Sequence, residues 1–127
     1  MTATINSYRD LTVWQDAMEL AVATYELTRS FPKDELYGLT AQLRRATVSV
    51  AANIAEGHGR EQTRSFIQFL RMSQGSLKEA ETHIQLAERV GLVSAEEVAG
   101  LISQCDSLGR RLRALIRSLQ ERIGKED

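Results

Sequence analysis

The chain has 127 residues, with 16 Lys and Arg against 17 Asp and Glu for a formal net charge of -1. At roughly 150 residues per domain, one domain spanning residues 1-127 is expected, without the bulk positive field that gathers nucleic acid or acidic membranes unaided. Hydrophobic residues at 43% and charged ones at 26% exclude the apolar-poor composition of a disordered chain, and the single cysteine, Cys105, excludes an intramolecular disulfide.

No Cys/His pairing falls at zinc-finger spacing, so the expectation is a chain without metal or cofactor that tolerates a reducing compartment. No stretch approaches the ~20 apolar residues that span a bilayer, and Met1 to Asp10 lacks a basic flank followed by an apolar run. A cytoplasmic protein without a membrane partner is the expectation.

Pro32 is the only proline, which leaves long segments free to be helical. Residues 1-10 are expected to be loose. Thr12 and Gln15 have the spacing of a capping box, placing a first helix at about Thr12 to Arg29, with Trp14, Met18, Ala21, Val22 and Tyr25 as its stripe. Phe31-Pro32 ends it. A second helix is expected from about Asp34 to Glu56, with Leu36, Leu39, Leu43, Ala46, Val50 and Ile54 on one face, broken by Gly57-His58-Gly59. A third runs from about Glu61 to Val90, with Phe66, Leu70, Leu77 and Ile84 along one face and Gly91 as a left-handed cap. Ser94 and Glu97 form another capping box, and the stripe from Val98 to Ile123 defines a fourth helix that is expected to fray near Gly124.

Four amphipathic helices with short connections bury their stripes most economically as an all-α, antiparallel up-down four-helix bundle. On helix one, Val13, Leu20 and Leu27 recur every seven residues on the side away from the Trp14, Met18 and Tyr25 stripe. On helix three, Met72, Leu86 and Val90 point away from its core line. One core cannot cover both sides of a helix, so these six residues are read as a subunit interface. On helix two, Gln42, Arg45, Ser49, Asn53, Glu56 and Arg60 make a polar ridge beside the apolar stripe. Ser and Asn are mediocre helix formers, so the ridge has a reason to exist. It either pins helix two to helix three or faces a partner.

Charge is segregated. Residues 41-75 hold five Arg against two Glu, and residues 106-127 hold five Arg and one Lys against four acids. Arg110, Arg113 and Arg117 share a face of helix four at i, i+3 and i+7, spacing that can track a phosphate backbone, and Asp106 shares that face. Arg44 and Arg64 join them as candidate nucleic-acid contacts. No aromatic interleaves with the arginines of helix four, which argues against a single-strand stacking platform.

No enzyme is expected. Neither His58 nor His83 has a Glu three residues before it, as a di-iron bundle site requires. Gly57 and Gly59 lack the strand and the third glycine of a dinucleotide site. Cys105, on the core stripe, reads as a small hydrophobe rather than a nucleophile.

Several blocks occur in order: Leu11-Thr12-Val13-Trp14-Gln15; Phe31-Pro32 with Glu35; Tyr37-Gly38-Leu39; and Gln42-Leu43-Arg44-Arg45-Ala46. They continue with Ser49; Asn53-Ile54-Ala55-Glu56-Gly57; Gly59-Arg60; Phe69-Leu70; and Gly75-Ser76-Leu77 with Glu79. From about Tyr8 to Val93 this series resembles the bacterial four-helix-bundle proteins encoded in intervening sequences of large-subunit ribosomal RNA genes. The resemblance implies a protomer of a ring-shaped homopentamer without enzymatic activity. Related accessory proteins of diversity-generating retroelements form similar pentamers that bind nucleic acid and a reverse transcriptase. The function expected here is a self-assembling bundle that binds RNA or DNA as a ribonucleoprotein scaffold. The alternative is an adaptor that docks a protein such as a reverse transcriptase through the helix-two ridge without touching nucleic acid.

Overall fold

Each helix presents one apolar stripe, and in a computed structural model that describes residues 5-126 the four stripes close on a common core. The helices are α1 (Thr12–Thr28), α2 (Leu39–Gly59), α3 (Thr63–Arg89) and α4 (Ala95–Glu126), with short 3-10 turns at Tyr8–Asp10 and Lys33–Glu35. α1 packs on α2 and α4, and α3 packs on the same two, so α2 and α4 lie diagonally opposite. The result is the all-α, antiparallel up-down four-helix bundle expected from the periodicity. Leu20, Leu43, Ile54, Leu70, Leu77, Ile84, Leu108 and Leu112 fill its centre.

The chain ends depart from expectation in instructive ways. Of the segment expected to be loose, residues 1-4 lie outside the described residues. Ser7 to Asp10 instead forms a capped turn, in which the N–H groups of Asn6 and Ser7 donate to the Asp10 carboxylate at 2.9 and 3.1 Å. These two donors hold the Asp10 carboxyl below its ordinary value. The capping box expected at Thr12 and Gln15 does not form: Leu11 is the N-cap of α1, and the Gln15 amide reaches back to the Arg9 carbonyl at 2.9 Å. α4 continues to Glu126 rather than ending near Gly124.

α2 begins later than its periodicity suggests. Leu36 lies in the connection and is exposed, and the N–H of Leu39 donates to Glu35 Oε1 at 3.1 Å. A remote carboxylate therefore replaces the missing side-chain cap of Gly38. A Cβ on Gly38 would stand 2.9 Å from that same oxygen. At the other end, α2 runs through Gly57 and Gly59, and the chain turns at Arg60 to Gln62, where Glu61 takes φ 60. Gly91 (φ 83) and the reciprocal Ser94 and Glu97 bonds at 3.1 Å end α3 and start α4 as expected.

Candidate functional site

α1 buries the opposite side from the one its bulkiest residues suggest. Val13 (3% exposed), Ala17, Leu20 (1%), Thr24 and Thr28 face the core, and Leu27 packs half-buried against it. The threonines complete this stripe because their hydroxyls donate back to the carbonyls of Leu20 and Thr24 at 2.9 and 2.8 Å. Once satisfied, they present a methyl group to the core. Val13 and Leu20 are thus interior residues of the protomer and cannot form a subunit interface. The duplicated apolar side of α1 exists, but its outer face is Trp14, Met18, Val22 and Tyr25.

That outer face forms one wall of a groove of about 520 Å³. The facing wall comes from Val48, Ala51, Ala52 and Ala55 of α2, and Tyr8 closes one end. Met18 (41%), Val22 (54%), Tyr25 and Val48 are exposed there. Alanines along the α2 wall leave room for another backbone to come close. Met72, Leu86 and Val90 are also exposed, away from the groove on α3.

The polar ridge of α2 turns toward α3. Arg45 pairs with Glu79 and takes the Gln42 amide oxygen at 2.7 Å. The Ser49 and Ser76 hydroxyls meet at 2.8 Å, and Asn53 Nδ2 donates to the Ser49 carbonyl at 2.9 Å. Ser73 donates to the Val50 carbonyl at 2.9 Å from the buried side. Arg60 pairs with Glu56 at 3.0 Å and lies over the Phe69 ring. Of the two readings of this ridge, these contacts supply the internal one: it stitches α2 to α3. His83 sits 3.6 Å from the same Glu79 carboxylate.

Arg110, Arg113 and Arg117 lie exposed along α4 and make no ion pair among the described residues. Arg64 of α3 lines a hollow with Ile67, Gln120 and Ile123, which sets it beside α4 just beyond Arg117. Arg44 belongs elsewhere. Its guanidinium lies 4.5 Å from the Tyr25 ring centroid and donates to Thr28 Oγ1 at 2.8 Å, so it clamps α1 to α2 across the bundle from α4. Arg71, exposed on α3 between Arg64 and Lys78, is a residue the periodicity of α4 alone could not add. Arg111 is held instead by an ion pair to Asp16 of α1.

Cys105 is fully buried, and burial with Glu81 nearby pushes its thiol up to about 12. A thiol so placed has almost no thiolate to offer at neutral pH. Among the described residues, no three His, Cys, Asp or Glu side chains converge as a metal site, and no helix is long and apolar enough to cross a membrane.

Comparison with known proteins agrees with this architecture. A crystal structure of a protein of unknown function from the S23 ribosomal protein family of Bacteroides thetaiotaomicron superposes with a TM-score of 0.76 at 21% identity. The match covers 82% of this chain and 97% of that one, and establishes the likeness of fold. No curated protein matches. The family described as 23S rRNA-intervening sequence protein matches residues 9–114, and the chain belongs to that family.

Proposed function

We propose that the chain is a non-enzymatic subunit of a homo-oligomer, a pentameric ring by its family resemblance, which serves as a scaffold for RNA or DNA. The observation that supports this reading is the α1/α2 groove. Its apolar walls are ordered by the fold of one protomer yet covered by nothing within it. Contiguous apolar surface of this kind marks an association site. The unpaired arginines of α4 give the assembled particle repeated phosphate contacts, so weak binding per subunit multiplies over the ring.

The adaptor alternative has less support, because Arg45, Ser49 and Asn53 of the α2 ridge already spend their polar groups on α3 or within the ridge, although Gln42, Arg45, Glu56 and Arg60 stay exposed. The scaffold reading is tested by titrating a structured RNA against the wild type and the triple variant Arg110→Glu, Arg113→Glu, Arg117→Glu over a range of salt. Wild-type binding that weakens with salt and is lost in the variant supports it. Binding of equal strength in the two proteins removes the α4 face from the account, and absence of binding at low salt removes the nucleic-acid role.

A further inference from the structure

The arginines of α4 do not stand alone. Near the far end of α4, Arg64 and Ile67 share a hollow with Gln120 and Ile123, and further along a Cβ on Gly109 would meet Leu77 at 3.6 Å. This antiparallel register sets Arg71, seven residues after Arg64, opposite the stretch from Arg113 to Arg117. Arg71 is exposed and has no partner among the described residues. Two rows of basic side chains are therefore staggered along the α3 and α4 seam and overlap where Arg71 faces the Arg113 to Arg117 stretch. Arg64 and Arg71 lie on α3, while Arg110, Arg113 and Arg117 lie on α4. Each row is about 10 Å long at 1.5 Å per residue, and the rows are separated by the roughly 8–10 Å between packed helices.

Six of the seven aromatic residues are paired or buried, and the exposed Tyr37 lies in the connection before α2, off both α3 and α4. Tyr8 packs edge-on to Trp14, Tyr25 lies under Arg44, Phe66 meets His58, and Phe69 lies under Arg60. Phe31 is buried. The basic face thus offers charge over a broad area and no ring on which an unpaired base can stack. Single-strand binders depend on such rings, whereas duplexes are held through phosphates and shape.

The geometry points to base-paired nucleic acid as the ligand of this face, gripped by its phosphodiester backbone without sequence readout. This rests on the scaffold reading above and narrows it to one ligand form. Asp16, Glu19 and Glu26 line the neighbouring α1 and α4 seam, where Asp16 is already paired with Arg111, so the basic face is bounded on that side by acidic residues.

The test measures affinity against salt for an RNA duplex, a DNA duplex of the same sequence and length, and each single strand alone. The proteins are wild type, Arg71→Glu and Arg71→Gln, with folding verified by thermal melting. Tighter binding of a duplex than of its strands supports the inference if the salt slope also falls by about 1 when Arg71 is replaced. The RNA and DNA arms then show which backbone is preferred. Strands bound as tightly as duplexes, or a slope unmoved by both Arg71 variants, would overturn duplex recognition while leaving nucleic-acid binding in place. Failure of every probe to bind at low salt overturns the scaffold reading itself.

Discussion

Cys105 shows how one side chain carries the chemistry of its surroundings. Its thiol ionises near 9.0 in the unfolded chain and at about 12 in the fold, because burial disfavours the thiolate. The folded protein holds this proton more tightly, so the contribution to stability is complete below pH 9 and is lost as pH rises toward 12. Urea melts of the wild type and Cys105→Ala across that range are expected to show a steeper alkaline loss in the wild type, with parallel curves below it. A native thiol that reacts freely with a disulfide reagent at pH 8 would contradict the burial on which this rests. The position of Cys105 was legible from its place in the α4 stripe. The role of Arg44 was not, because its partners Tyr25 and Thr28 belong to a different helix and no local spacing announces them.

Between elements, α2 and α3 come close at Gly57. A Cβ on Gly57 would lie 2.5 Å from the Phe69 Cβ, whereas one on Gly59 would meet nothing within 4 Å. Gly57→Ala is therefore expected to destabilise by about 1–3 kcal/mol through overpacking. Gly59→Ala, two residues on, should leave stability unchanged or raise it by up to about 1 kcal/mol. Urea midpoints at constant m-value separate the two, and equal effects would mean that α2 does not approach α3 as described. The same two glycines read in the sequence as a helix break, since a glycine needed for packing and one needed for a turn look alike before the neighbouring helix is known. Helix identity and order were plain from periodicity. The face of α1 was not, because Thr24 and Thr28 count as polar until their hydroxyls are seen to be satisfied within the helix. The start of α2 was equally hidden, since Glu35 supplies its cap from outside the helix.

For the molecule as a whole, the residues that carry the family resemblance sort by structural task. Glu35 and Gly38 form the α2 cap; Ser49, Asn53, Gly57, Ser76 and Glu79 belong to the α2 and α3 seam. The resemblance therefore reports first on how the protomer is held together, and the surfaces that face outward have to be argued separately. Three remain: the apolar groove between α1 and α2, the exposed Met72, Leu86 and Val90 of α3, and the arginine face of α3 and α4. The groove and the arginine face lie on different sides of the bundle, and in the proposed ring the groove of one protomer meets a different apolar patch of the next, which leaves the arginine face open to a ligand. Sequence patterning was right that α1 has more apolar surface than one core uses, and it placed the core on the wrong side. The larger residues turned outward, an arrangement that gains stability only if a second surface covers them.

Sedimentation velocity of the wild type and Val22→Asp at micromolar concentration addresses that surface directly. Val22 is exposed within the groove and has no part in the protomer core, so the variant is expected to keep its thermal midpoint. A charge in the groove leaves a carboxylate to be desolvated on association. The wild type should sediment as a single oligomer, and Val22→Asp as a folded monomer. A wild type that sediments as a monomer, or a variant that assembles as fully as the wild type, would contradict assembly through the groove.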